Sequence, residues 1–350
     1  MAFTTIDDPS AYFHIQLYSG DGGGSNAITN DANAGDFKPD WLWIKERTST
    51  SSNTLVDSTR GAGNILLSDN NNAEASAPAV SSLNTDGFTL GSDGKTNEVS
   101  QTYVAWQWKA NGGTTSSNTD GSITSTVQAN TTAGFSIVTW TGNGNTATIG
   151  HGLGATPQVV ILKSRDNAHD WFVGHEKKHS TPWQKYLTLH TTNAVADDLI
   201  WNDTAPTSSV FSVGNYDSTN GNTVKFVAYC FAEKQGYSKF GSYTGNGSTD
   251  GAFIYTGFKP AWVMYKQTNA GTRDWIIVDN KRDSFNVCDS ELYANSNSAE
   301  GTVDLLDFVS NGFKCRRSHN SQNGSGDSYI YLAFASSPFV SSEGVPTTAR

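Results

Sequence analysis

Phe37-Lys-Pro-Asp-Trp-Leu-Trp-Ile-Lys45 returns twice in the chain, as Ala155-Thr-Pro-Gln-Val-Val-Ile-Leu-Lys163 and as Phe258-Lys-Pro-Ala-Trp-Val-Met-Tyr-Lys266. Each run places a proline before a short apolar stretch and ends on lysine. Proline is tolerated at a strand's opening because its missing N–H lies outside the hydrogen-bonded ladder. A second run recurs downstream, as Tyr103-Val-Ala-Trp-Gln-Trp108, Phe226-Val-Ala-Tyr-Cys-Phe231 and Tyr329-Ile-Tyr-Leu-Ala-Phe334. Spacing tests the correspondence. From the second copy to the third, Thr141 to Thr244, Lys163 to Lys266 and Phe226 to Tyr329 all shift by 103, Trp171 to Trp275 by 104 and Phe211 to Phe313 by 102. From the first to the second, Lys45 to Lys163 shifts by 118, Tyr18 to Trp140 by 122, and Phe88 to Phe211 and Tyr103 to Phe226 by 123. Internal repetition at one period is the sequence sign of a tandem array.

The segments between these markers are short, β-branched or aromatic, and bounded by turn residues such as Thr141-Gly-Asn-Gly144 and Asp86-Gly87, which accept the positive φ of a tight reversal. Many short strands in a unit of roughly a hundred residues point to an antiparallel sandwich. The expected fold is all-β: three tandem antiparallel β-sandwich-like repeats, jelly-roll or lectin-like. Their expected bounds are 1–112, 133–235 and 236–340, with a polar linker at 113–132 and a loose tail at 341–350. The helix candidates are short, Asn193 to Trp201 and Val303 to Val309.

Composition narrows the function. Charged residues are 16% of the 350, against ~25% in an average soluble protein. Net charge is -10, the wrong sign for a nucleic-acid surface, and no apolar run approaches the ~18 residues that would span a bilayer. MAFTTIDDPS at the N-terminus lacks a basic and an apolar region, so no secretory signal is expected. Cys230, Cys288 and Cys315 do not make a disulfide framework. A β-protein of exposed type with no export route fits a virion protein, made in a reducing cytoplasm and released by lysis.

Catalytic motifs fail on context. His175-Glu-Lys-Lys-His179 has the spelling of a zinc-protease helix, but Asp170-Trp-Phe-Val reads as a strand before it and Pro182 follows it. His175 aligns with Asp57 and Asp279, each followed three residues later by arginine, Arg60 and Arg282; these pairs read as local ion pairs. His151, His169, His175, His179 and His190 crowd the second repeat without matching cysteine or carboxylate spacing, so no metal and no cofactor is expected. Asp217-Ser-Thr-Asn-Gly221 and Gly20-Asp-Gly-Gly-Gly24 read as turns, lacking the acids of a calcium loop. No nucleophile elbow or singled-out carboxylate pair stands out, so no enzyme is expected. Trp41/Trp43 and Trp106/Trp108 share a sheet face and read as core. Trp183, Trp201 and Tyr216 lie among polar residues and are the candidates for an exposed binding surface.

The repeats resemble an uncharacterised domain of virion proteins from tailed phages of marine bacteria. The resemblance rests on Phe37 to Arg47, Leu55-Val-Asp-Ser-Thr-Arg-Gly61, Asp86-Gly-Phe-Thr-Leu90, Tyr103 to Ala110 and Gly150-His-Gly-Leu-Gly-Ala-Thr-Pro to Lys163; repeat three departs from it at Asn286 to Leu306. It implies a bacteriophage structural protein of the tail or fibre, carried in the virion and used for host attachment through receptor binding. The implied partners are other virion proteins, a host-surface glycan or protein, and further copies of the chain, a trimer being usual in fibres. The alternatives are a capsid decoration protein and an envelope-glycan depolymerase.

Overall fold

The computed structural model describes residues 3–31 and 37–347. The chain is nearly all β, its ladders between strands are antiparallel, and its α-helices are single turns, Gly94–Asn97 and Asp217–Asn220. Three large sheets carry the structure. In hydrogen-bonded order, sheet I is Phe13–Ser19, Thr102–Trp108, Trp41–Glu46, Thr54–Asp57, Asn64–Leu67, Ala75–Ser76. Sheet II is Ser116–Asn118, Ser125–Asn130, Phe135–Thr141, Lys225–Phe231, Val159–Ser164, Phe172–His175, Lys185–Thr188, Ala196–Asp197. Sheet III is Ser238–Thr244, Ser328–Pro338, Phe258–Gln267, Ile276–Asp279, Cys288–Tyr293, Gly301–Val309, Gly312–Cys315, Phe253–Tyr255.

One sub-order is common to the three sheets: opening strand, closing strand, proline-led strand, and the strand after it. Lys45, Lys163 and Lys266 hold one place in it, opposite Val104, Val227 and Ile330 of the closing strands.

The proline-led strands are buried on both faces, and alternation sends successive side chains to different cores. Leu42 and Ile44 face a core shared with Phe88 and Leu90 of the small sheet Asn26–Ile28, Phe88–Leu90, Val80–Leu83. Val160 and Leu162 likewise meet Phe211 and Val213 of the small sheet Ala147–Gly150, Val210–Val213. In sheet III the long strand Gly301–Val309 bends to serve both layers, and Val263 and Tyr265 meet Leu306 and Phe313. The other faces have no cover of their own. Trp41, Trp43, Val159, Ile161, Trp262 and Met264 all enter one central cluster fed by all three sheets. Trp41 stacks on Tyr229 at 4.3 Å, Trp108 meets Trp262 edge-on at 5.7 Å, and Phe231 meets Phe334 at 5.9 Å. Each sheet keeps a small core of its own on the outer face, and all three close a ring around a larger common one.

Three seams join the ring, and each is stitched in the same way. A backbone N–H donates to a neighbouring carbonyl: Glu74 to Arg165 (2.7 Å), Val195 to Thr268 (3.0 Å) and Glu300 to Arg47 (2.8 Å). A side-chain N–H donates alongside it: Trp171 Nε1 to Leu67 O (2.8 Å), Trp275 Nε1 to Thr188 O (3.0 Å), Asn53 Nδ2 to Tyr293 O (3.1 Å). The ring lysines add to this. Each Nζ donates to the next residue's carbonyl, and Lys45 and Lys266 reach across to Asn297 O and Thr192 O. Burial pulls the pKa of all three down to about 8.

Several expectations need correction. Residues 113–132 are not a linker: Ser116–Asn118 and Ser125–Asn130 are strands of sheet II. Their alternation is masked by Ser, Thr and Asn, and Gln128 ties them to sheet I through Ser58 and Thr59. Val303 to Val309 is strand, not helix, its Leu305, Leu306 and Phe308 being claimed by the sheet III core. Asn193 to Trp201 holds the two-residue strand Ala196–Asp197 and a 3-10 turn, Leu199–Trp201. The tail is tied down as far as 347, with Val340 bridging Pro346 and Ser342 N donating to Asp7 at 2.6 Å; residues 348–350 lie outside the described residues.

A common core predicts one cooperative unfolding event. Calorimetry of the full chain should give a single transition, and Trp41→Ala should lower all of it, by roughly 3–5 kcal/mol for a lost buried tryptophan. Separate transitions, with only one shifted by the substitution, would contradict the shared core.

Candidate binding site

Two of the three seams contain a buried ion network. At the I–II seam, Arg60 donates through Nε to Asp57 (2.5 Å) and through Nη1 to Glu74 (2.8 Å), and Arg165 grips Glu74 through two bonds of 2.9 and 2.7 Å. Tyr229 OH of sheet II donates to Asp57 at 2.8 Å. The III–I seam repeats this with Arg282 on Asp279 (2.6 Å) and Glu300 (2.9 Å), Arg47 on Glu300 (3.0 and 2.7 Å), and Trp106 Nε1 on Asp279 (3.0 Å). Asp57 and Arg60, like Asp279 and Arg282, form the local ion pairs read from the sequence, and their side chains are wholly buried. Burial raises the carboxyl pKa of Glu74 and Glu300, but the arginines outweigh it and hold both below the usual range.

The II–III seam has none of this. The register places His175 where Asp57 and Asp279 stand, opposite Val159 as they are opposite Trp41 and Trp262. It places Leu332 where Tyr229 and Trp106 stand. Leucine has no proton to donate, so a carboxylate there would be buried short of a partner. His175 is instead a donor: its Nδ1 accepts from Lys177 N (3.0 Å), which assigns the proton to Nε2, 3.2 Å from Tyr331 O. Burial drives its pKa down to about 3, so it is neutral.

Three further positions change with it. Lys178 replaces the arginine, and the shared backbone bond shows Val195 in place of the glutamate and Thr268 in place of the second arginine. Where the network is missing there is a cleft of about 490 Å³, and Lys178, Val195 and Thr268 all line it. That volume lies within the ~300–1,000 Å³ of ligand pockets. Lys177, His179 and Ser180 of the sheet II side face Ser242, Tyr243, Thr244, Asn269, Ser328 and Tyr329 of the sheet III side. Lys178 Nζ donates to Pro182 O and His175 O and lies 5.1 Å from the Trp183 ring. Burial brings its pKa down to about 7.

Of the three aromatic candidates, Trp183 backs Lys178, Trp201 packs edge-on against Trp183, and Tyr216 lies apart from the cleft lining. Trp183 is 6% exposed and Trp201 0%, so neither offers an open binding face. The reason is Gly174, which stands where sheets I and III have Val56 and Val278. A Cβ there would come within 2.3 Å of Trp183 and 3.0 Å of Trp201, so glycine opens the slot that both indoles fill. Tyr216 is partly exposed, its OH donating to Asp198 at 2.5 Å. Trp183 still matters to the cleft, since its ring backs Lys178. The histidines do not converge: His151 bonds Thr207 O, His179 bonds Thr181 and His190 pairs with Asp170. Among the described residues, no three or more His, Cys, Asp or Glu are placed to hold a metal ion.

A smaller hollow of about 180 Å³ in sheet III holds two carboxylates, Asp274 and Glu291, beside Arg273, Arg317 and His319. Burial raises the Glu291 pKa, while Tyr293 OH donates to it at 2.6 Å; Asn295 donates to Asp274 at 2.7 Å. Both carboxylates are engaged by their own chain, and the hollow is below ligand-pocket size.

Residues 8–338 match a family described as a domain of unknown function, DUF7483. The chain belongs to that family. No curated protein matches it. The DUF7483 match takes in all three sheets, as a unit built on one core requires. Sequence reasoning missed the Lys178–Val195–Thr268 cleft of this DUF7483 chain, though Lys178 follows His175 at the spacing of Arg60 after Asp57. Val195 and Thr268 carry no signal by themselves; only the closed ring brings them together.

The neutral His175 has an acid signature. The unfolded chain takes up this proton near the ordinary pKa of 6.5 and the fold only near 3, so stability contributed by the neutral ring is lost as pH falls from 6.5 towards 3. Denaturant titrations at pH 6.5 and 4.5 should show His175→Gln losing less stability over that interval than the parent. Equal losses in both would show that His175 does not titrate this way.

Proposed function

We propose that the chain is a phage virion structural protein of the tail or fibre, using three tandem β-sandwich-like copies, jelly-roll or lectin-like, to attach to the host surface. The copies occupy 1–112, 133–235 and 236–340, with 113–132 built into the second as its outer strands. The observation that carries an attachment role is the seam between sheets II and III, where a pocket-sized cleft with a basic side stands in place of a sealed ion network. The virion setting rests on the resemblance of the proline-led and closing runs. A single body around one core suits a particle exterior, where separately mobile domains would be exposed to shear. Phe253 and Tyr255, about half exposed on the edge strand of sheet III, and Phe285, 84% exposed, offer apolar contact to other virion proteins or to further copies of the chain.

The depolymerase alternative has one specific support, Glu291 and Asp274 in the sheet III hollow. We favour the non-enzymatic reading because both carboxylates are occupied and the hollow is too small for two sugar rings and a water. Two measurements separate the readings. The purified chain should adsorb to host cells and block particle adsorption, and antibody to it should label the tail in electron micrographs; label confined to the head would favour decoration. Envelope polysaccharide incubated with the chain should gain no reducing ends. A gain abolished by Glu291→Gln would establish the hydrolase instead.

A further inference from the structure

We propose that the cleft at the II–III seam binds a carboxylated saccharide, its carboxylate lying beside Lys178 as Glu74 lies beside Arg60 and Glu300 beside Arg282. The inference rests on the attachment reading only for where such a sugar is met. It starts from an internal comparison. At two seams a buried cation is held by a carboxylate reaching in from residue 74 or 300. At the third, the backbone N–H of Val195 makes the same bond to the neighbouring sheet, so its side chain leaves the chain at the same place but ends short of the cation. What remains is a cation, Lys178, bonded only to carbonyls and a ring face, at the wall of a solvent-accessible cleft.

The charges around the cleft suit an anion. No Asp or Glu is among the residues that line it, and Lys177 is paired with Glu176 at 2.7 Å, which leaves Lys178 as the lining lysine without a carboxylate partner among the described residues. His179 adds a polar edge that faces solvent. The saccharide part follows from the opposite wall. The hydroxyls of Ser242 and Thr244, on one face of their strand, and of Ser328 opposite Thr244 belong to residues that line the cleft, with no partner among the described residues. A bare carboxylate would use the lysine and leave that hydroxyl row idle; a sugar acid uses both.

Calorimetric titration of the full chain with D-galacturonate, D-galactose and acetate tests this. Galacturonate should bind, and galactose and acetate should each bind at least tenfold more weakly. Val195→Glu should abolish binding by supplying the carboxylate from within, with an unchanged or raised melting temperature as evidence of folding. Should that variant fail to fold, Thr268→Arg fills the same cleft from the opposite side and should likewise abolish binding. Galacturonate bound equally by parent and filled variants, galactose or acetate bound as tightly as galacturonate, or no heat with any of the three would each overturn the proposal. Cell adsorption is read separately: intact galacturonate binding without adsorption defeats the attachment reading alone, and adsorption untouched by a filled cleft defeats the cleft as its receptor site.

Discussion

A sheet apolar on both faces needs two covers, and in this chain each large sheet brings only one. The outer face is closed by a small sheet or a bent strand from the same stretch of chain. The inner face, carrying Trp41 and Trp43, Val159 and Ile161, or Trp262 and Met264, can be closed only by the other two sheets. Everything else follows from that shortage. The ring closes, three seams arise, and polar groups caught at them must find partners out of water. The backbone bonds of Glu74, Val195 and Glu300, and the indole or amide donors beside them, answer that demand at every seam.

Because one chain supplies all three sheets, corresponding positions are free to differ from seam to seam, which identical subunits of a trimer could not do. The differences obey electrostatics. A buried carboxylate needs its cation and its hydrogen-bond donors together, and removing one member strands the rest at a cost of ~3–5 kcal/mol. Aspartate therefore stands where Tyr229 or Trp106 can donate to it, and histidine stands where Leu332 cannot. Glutamate and its second arginine are both present at two seams and both missing at the third.

Much of the architecture is legible in sequence because strand alternation and turn chemistry are local. Prolines, ring lysines and closing strands hold their spacing, and alternation assigns Trp41/Trp43 to one face and Leu42/Ile44 to the other. Alternation cannot say what covers a face, so the shared core stays hidden in a reading of one segment at a time. Polar composition misleads in both directions. Ser125–Asn130 looks like a linker and is a strand, while Trp183 and Trp201 have polar neighbours and lie in a slot made by Gly174. A further signal lies in the spacing of three asparagines. Asn97, Asn220 and Asn323 recur at 123 and 103, the intervals of the strand markers. All three are buried, and their amides pin the opening loops through Asp21, Asn143 and Asn246.

The same energetics explain why a cleft can exist at a seam without undoing the ring. A complete buried network contributes little net stability, since desolvation consumes most of its Coulomb gain. Exchanging the whole set at once, with Lys178 left on carbonyls and Trp183, gives up little. The core and the Val195 and Trp275 bonds still hold the edges together. Removing any one member alone would not be tolerated. A seam is thus the position where this fold can open a pocket several hundred Å³ in size at small cost. At this seam the opening leaves Lys178 at the wall, bonded to carbonyls where the neighbouring seams set a carboxylate against arginine.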